Sequence, residues 1–523
     1  MADTGGNPEA QPELVFGLVG PLGTDLKLVA AHLKDSLAQV RYRTEVFRLS
    51  HFMREIKAEP WSKLKDGPED EVIKTHIDAG NALRRKLNRN DAMAMLGIGA
   101  LREHRENESG EATKPIAGFA AILRSLKRPE EIEALRRIYG AAFVVLAAYS
   151  PRARRVQDLA RRIAESRYSN QAGEFMSMAE QLVAIDEAEA GNDFGQDVRD
   201  AFASADVIVN ASDPQSLPEA IRRFVEILFG NTLQTPTRDE QGMYMAEAVA
   251  FRSASLARQV GAVICREDGS IVAVGCNEVP RPGGGQYWTG DDPDGRDFRL
   301  GHDSSDRMRE NLLGDILDRL RKAGWLDNQK ANTPTKDLVK DLIVNIPKGS
   351  ERPVMKGAQF TATIDYVRAV HAEMAAITDA ARNAVGTNGT ELYTTTFPCH
   401  DCAKHIVAAG IKRVVYIEPY PKSLVPDLYS DSILVDSDSE CGTRVRIQPF
   451  VGIAPKRYAE WFALRKRTRK LKDGTVVVWR PNEAVPQLPD SGVSVPAWLS
   501  AEAEKFKRFE NELVSAIKKE NTL

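Results

Sequence analysis

The sequence predicts an α/β protein of two folded domains followed by a C-terminal extension. Three observations lead there. With 523 residues, the chain is too long for one hydrophobic core. Up to about residue 232, short apolar runs alternate with stretches of helical period, the mark of a parallel sheet covered by helices on both faces. The second half opens with a helix and two strands around a tight turn, then repeats helix and strand with metal-ligand side chains at the helix starts.

The first domain is expected over residues 14–232. Residues 1–13 are small and polar with no apolar run, so they read as a disordered tail and not as a signal peptide. Leu14-Val15-Phe16-Gly17-Leu18-Val19 is a buried strand, and Gly20-Pro21-Leu22-Gly23 turns it into a helix over 25–37. Further strands are expected at 45–49, 142–147 and 206–210, and a helix over 217–229 closes the domain.

The turn after the first strand is where a glycine-rich phosphate loop belongs. Aligned on Gly20 and Gly23, the last glycine position holds Asp25, the lysine position Leu26 and the Ser/Thr position Lys27. No lysine is placed there for the phosphates, and a carboxylate stands where an anion would. The domain therefore resembles a P-loop nucleotide kinase whose catalytic parts are missing. Gly20, Gly23 and Thr24 remain a candidate nucleotide-binding loop, because backbone amides at a helix start can still hold an anion. Ser150-Pro151-Arg152-Ala153-Arg154-Arg155 follows a strand; it reads either as an arginine-bearing lid or as a solvated helix start.

The second domain is expected over residues 233–465. It opens with a helix over 243–258, a strand over 260–265, a turn at Glu267-Asp268-Gly269 and a strand over 271–276. Residues 280–365 form an insertion with one amphipathic helix, on which Met308, Leu312, Leu313, Ile316, Leu317 and Leu320 share a face. A connection this long is functional or disordered, so a lid and an oligomer contact are both open. Its Arg281, Arg296, Arg299, Lys348, Arg352 and Lys356 are either phosphate contacts or solvated surface. Strands at 413–417 and 443–447 follow. Residues 466–523 carry a basic hairpin turning at Asp473-Gly474, a Pro-rich linker and a charged helix over 498–520.

The chemistry sits in two short motifs, His371-Ala372-Glu373 and Pro398-Cys399-His400-Asp401-Cys402. One imidazole and two thiolates hold a zinc ion with a fourth position left for water, which is how catalytic zinc differs from closed structural zinc. Zinc lowers the pKa of that water to about 7. Glu373 is not needed as a ligand and is placed to carry protons. A helix is expected over 366–381, with the zinc near its start, since residues two apart do not share a face in mid-helix. A strand over 392–396 leads to a second helix opened by Pro398, whose first turn holds Cys399 and Cys402 where the dipole favours thiolates. H-x-E followed by P-C-x-x-C is the signature of zinc-dependent nucleobase deaminases. Two other readings of C-x-x-C stand beside it. One is a structural knuckle with His400, His405 or Cys441 as fourth ligand, and the other is a redox pair.

Bulk composition limits the partners. Hydrophobic content of 42% and charged content of 28% are those of a globular protein. A net charge of −3 and an aromatic content of 7% give no global field or stacking surface for nucleic acid, so a DNA partner is not expected. Five scattered cysteines argue for a reducing, cytoplasmic setting and not a disulfide framework. No stretch approaches the roughly 20 apolar residues of a membrane span.

Around these motifs the second domain resembles the cytidine and deoxycytidylate deaminases. The matching stretches are S-x-x-R-Q-V-G-A-V-I from Ser255, G-C-N-E-V-P around Asn277, and A-G-I-K-R-V-V-Y ending at Tyr416, with Tyr420 just beyond. The resemblance implies an α/β/α deaminase fold, a sugar-hydroxyl contact for Asn277 (otherwise a turn cap), and substrate contacts at Ser255, Arg258, Thr396, Tyr416 and Tyr420. Fused to a degenerate P-loop kinase-like domain, it resembles the bacterial anti-phage dCTP deaminases. That resemblance implies zinc-dependent deamination of dCTP, with dCMP as a second candidate, to uracil nucleotides and ammonia. It further implies a homo-oligomer and a control device, with a nucleotide or an RNA as the regulator. A nucleic-acid deaminase, a housekeeping dCMP deaminase and a nucleotide sensor run by the first domain are the alternatives.

Overall fold

A computed structural model describes residues 11–520 apart from 65, 188, 190–191, 349–351, 363–365, 421, 437–441, 465–466 and 489–494. The chain divides into two compact units, Met1–Glu240 with Phe450–Leu523, and Gln241–Pro449. The strands of the described residues are β1 (Leu14–Val19), β2 (Arg43–Arg48), β3 (Phe119–Leu126), β4 (Phe143–Tyr149), β5 (Val207–Asn210) and β6 (Gly261–Cys265). They continue with β7 (Ile271–Cys276), β8 (Glu391–Thr396), β9 (Arg413–Glu418), β10 (Ile433–Val435), β11 (Val445–Pro449) and β12 (Gly452–Ile453).

The first unit is built on a six-stranded sheet in the order β12-β5-β4-β1-β3-β2. β1 to β5 are mutually parallel, and β12 alone runs antiparallel, against β5. Central β1 is buried at every residue, as a strand covered on both faces must be. Phe16, Leu18, Val144, Leu146, Leu33 and Phe224 meet in the main core. Strand β3, between β1 and the edge strand β2, is absent from the sequence expectation. Its Phe-Ala-Ala-Ile-Leu run lacks the β-branched enrichment that separates a strand from a buried helix.

Two expected boundaries shift. Residues 450–523 belong with the first unit and not with the second domain or a separate extension. β12 completes the sheet, Ile453, Trp461 and Ala484 enter its core, and Trp479 Nε1 donates to Phe229 O at 3.0 Å. Buried Asp206 accepts from Arg136 at 2.8 Å and Arg457 at 3.1 Å, and Lys456 lies 3.4 Å away. The helix Val495–Glu520 is fastened by Glu502, which is fully buried and 2.7 Å from Arg105, itself 2.5 Å from Glu13. Glu13 therefore ends the expected tail early. Gln11 O accepts from Gly118 N, and Pro12 O accepts from Tyr42 Oη. Residues 1–10 of that tail lie outside the described residues.

The second unit carries a six-stranded sheet in the order β10-β11-β9-β8-β6-β7. β6 runs antiparallel to β7 and β8, while β8, β9, β11 and β10 are parallel. Missing side chains let the helices lie close to the strands. A Cβ on Gly261 would meet Ala246 O at 2.0 Å, and one on Gly275 would meet Ala372 O and Ala376 N at 2.4 Å. The helix expected over 243–258 runs instead over Arg238–Ala250. Beyond it, side chains take the loop's backbone groups: Glu278 accepts from Ala254 N, and Gln259 Nε2 donates to Phe251 O and Ser253 O. In the insertion only Leu313 and Leu317 of the expected apolar face are buried, against Leu338 of the helix Thr335–Ile343. No described helix is long and apolar enough to cross a membrane.

Candidate metal and active site

His371 caps the helix Ala372–Arg382 and Cys399 caps the helix His400–Ala408, so two helix N-termini converge. The first helix starts later than the expected 366, because Val370 N donates to Glu278 O and pairs the preceding segment with the end of β7. Cys399 is a cap and not a first-turn residue; its Sγ accepts from Cys402 N at 3.3 Å. Pro398 O is held by Ser423 Oγ at 2.7 Å, and Phe397 N donates to Glu418 O at 2.7 Å. Gly275 brings the first helix onto β7, and with it His371 and Glu373.

His371 Nδ1 lies 3.3 Å from Cys399 Sγ and 3.4 Å from Cys402 Sγ. Bond lengths of about 2.0 Å to nitrogen and 2.3 Å to sulfur put the N···S edge of a zinc tetrahedron at about 3.5 Å. The donor set therefore fits zinc. His371, Cys399 and Cys402 are the group that can hold a metal among the described residues, and neither His400 nor His405 joins them. Cys441 lies outside the described residues, and Cys265 and Cys276 are buried in β6 and β7.

Glu373 is buried in the first helical turn, with Oε2 3.5 Å from Cys402 Sγ. Burial, and then the negative charge of Cys399, raise its carboxyl to about 6. The hydrogen bond with Cys399 raises His371 to about 9. Cys402 hydrogen-bonds the Cys399 sulfur and, with His371, pulls that thiol well below its usual range. Cys402 itself is pushed up and keeps its proton.

The other expected contacts divide. Arg258 lies 5.9 Å over the Tyr420 ring and 3.6 Å from Glu418. Thr396 ends β8 with a buried Oγ1 that has no partner. Asn277 caps the turn: Nδ2 donates to Arg258 O at 2.8 Å and Oδ1 accepts from Val260 N at 2.7 Å. Ser255 is half-buried, its N donating to Ser253 Oγ. Tyr416 is in the core, edge-on to Phe397. Arg281 pairs with Asp291, and Arg296 and Arg299 with Asp294, so these three are engaged within the insertion. Sequence reasoning missed Arg309 of the helix Ser304–Lys322. Burial raises the Tyr420 phenol and the Cys399 charge adds to it, while Arg258 and Arg309 oppose. Arg309 also donates to Thr361 O at 3.0 Å. A lone arginine on a charged helix gave no signal in the sequence.

In the first unit, Asp25 caps the helix Leu26–Gln39 and accepts from Lys27 N and Leu28 N. The amides expected to receive an anion at this helix start are thereby taken. Arg155, expected as lid or solvent-facing, is buried and donates to Ser150 O and Glu187.

Residues 236–418 match the family model of the cytidine and deoxycytidylate deaminase zinc-binding region. Deoxycytidylate deaminase of Enterobacteria phage T2 is 50% identical over 54 residues, 10% of this chain and 29% of that one. Human deoxycytidylate deaminase is 37% identical over 67 residues, 13% of this chain and 32% of that one. The match thus spans less than a third of the length of these relatives. The crystal structure of dCMP deaminase from cyanophage S-TIM5 aligns over 42% of this chain and all of its own, with 19% identity and a TM-score of 0.21.

Proposed function

We propose that the second unit is a zinc-dependent deaminase of deoxycytidine nucleotides, with dCTP as substrate and dCMP second. One observation carries the reading: His371, Cys399 and Cys402 converge beside buried Glu373, within a segment that matches a deaminase zinc-binding region. His371, Cys399 and Cys402 would hold zinc, which would supply an activated water near neutral pH. Glu373 moves the protons. At about 6, its carboxyl is basic enough to take a proton and acidic enough to give it up, so it can carry two in turn: the first from that water to cytosine N3, the second from the oxygen added at C4 to the amine, which leaves as ammonia. The two helix N-termini stabilise the thiolates. Thr396 offers the base a hydroxyl without a partner, and Asn277 keeps one amide proton for the sugar. To Arg258 and Arg309, both acting on Tyr420, we assign the phosphates, with bidentate guanidinium geometry as the reason for arginine.

The parallel sheet and the glycine turn after β1 support a P-loop kinase-like ancestry for the first unit, which regulates and does not catalyse. Depletion of dCTP during phage infection is the biological role, and the protein acts as a homo-oligomer under nucleotide or RNA control. The test is a deamination assay of the zinc-loaded chain on dCTP, dCMP, CTP, deoxycytidine and single-stranded DNA. The reading expects dCTP turned over fastest. Turnover of DNA alone, or of no cytosine compound, contradicts it; dCMP alone would make the enzyme a housekeeping deaminase.

A further inference from the structure

The turn after β1 is closed from within the first unit. Asp186, in the last turn of the helix Met176–Glu187, is 1% exposed. Its Oδ2 accepts from Leu22 N at 2.6 Å and its Oδ1 is 2.7 Å from Lys127 Nζ. Lys127, just after β3, also donates to Gly20 O at 3.0 Å. The next residue, Glu187, holds Arg155 at 2.6 Å, and Arg155 Nη1 donates back to Leu22 O at 3.3 Å. Gly23, at φ +94°, rests on the Arg155 backbone, where a Cβ would meet Arg155 O at 2.5 Å. The loop is thus rigidly seated and its lysine arrives from outside the glycine motif.

Thr24, the last residue of the same turn, is 8% exposed, and its Oγ1 is buried with no partner. A backbone amide, an ammonium and a hydroxyl are what a phosphate oxyanion recruits. The carboxylate of Asp186 takes the first two and leaves the third idle. Its own setting is unfavourable: a negative charge at a helix C-terminus opposes the dipole. The helix end is therefore held against the loop by these contacts, and an anion of higher charge competes for the same donors.

We propose that residues Gly20–Thr24 with Lys127 form a latched anion site, in which Asp186 stands in for a phosphate group and a phosphate-bearing ligand binds only in exchange for it. The shared chemistry is a phosphate oxyanion, free or carried on a nucleotide. A ligand that binds the unlatched arrangement alone shifts the helix Met176–Glu187 by mass action.

Calorimetric titration of the full zinc-loaded chain with inorganic phosphate and with ATP, against sodium chloride of equal ionic strength, tests this. Asp186→Ala should bind phosphate or ATP at least tenfold more tightly than the unaltered chain. Adding Lys127→Met should remove the gain. ATP binding well above phosphate assigns the site to a nucleotide; equal binding assigns it to phosphate itself. Asp186→Asn, which keeps an acceptor for Leu22 N and removes the charge, reads the same comparison should the alanine variant misfold by circular dichroism. Equal affinity with and without Asp186, absence of binding in all variants, or a gain that survives Lys127→Met overturns the proposal.

Discussion

Glu373 Oε2 lies 3.5 Å from Cys402 Sγ, although the two residues sit on different helices with a strand between them. The carboxylate thus reaches the metal-ligand group without being one of its three members. Separate roles follow for ligand and proton carrier, and each can be removed alone.

Cys399→Ser and Cys402→Ser are expected to lower zinc affinity at least tenfold, since an alkoxide is not formed near neutral pH and sulfur supplies two of three ligands. Metal analysis after dialysis reads this; zinc retained at one equivalent in both variants would point to a different ligand set.

Zinc uptake should release protons. His371 is held protonated to about pH 9 by its hydrogen bond with Cys399, and Cys402 keeps its thiol proton. Zinc takes neutral imidazole and thiolates, so binding at pH 7 expels about two protons and tightens as pH rises. For the fold without metal the sign is opposite. The raised His371 value stabilises fully below its ordinary 6.5, and that contribution is lost as pH rises through about 9. Calorimetry in buffers of different ionisation enthalpy counts the protons; a pH-independent affinity would count against the assignment.

Gly275→Ala should reduce turnover about a hundredfold while leaving β7 and β6 paired. Its Cβ would meet Ala372 O and Ala376 N at 2.4 Å and push the helix that carries Glu373 by a fraction of an ångström or more. Unchanged kcat in this variant would show that the helix position is not critical.

Asp206→Ala should destabilise the first unit by about 3–5 kcal/mol, because it leaves Arg136, Arg457 and Lys456 around a buried site without their carboxylate. Urea unfolding followed by Trp461 and Trp479 fluorescence measures it. A loss under about 1 kcal/mol would mean that residues 450–462 are held by apolar packing alone.

The motifs made the metal group readable before any coordinates. His, Cys and Cys with fixed local spacing leave few geometries, although the first helix begins at 372 and not 366, and Cys399 caps the second helix instead of entering its first turn. Strand β1 was readable from its unbroken apolar run. Non-local pairing was not. Nothing in Gly452–Ile453 signals a sixth strand, and Glu502 gives no hint of a buried partner 397 residues away in Arg105. Lys127 and Asp186 likewise meet Gly20 and Leu22 only through the tertiary fold. The helix expected to reach 258 stops at Ala250 because Glu278, remote in sequence, claims the Ala254 amide.

The most direct measurement is zinc content and dCTP deamination on the same preparation of Glu373→Ala. The account predicts one zinc per chain, an intact fold and turnover lowered by at least a thousandfold. Turnover close to that of the unaltered chain, or loss of the zinc with the carboxylate, would contradict it.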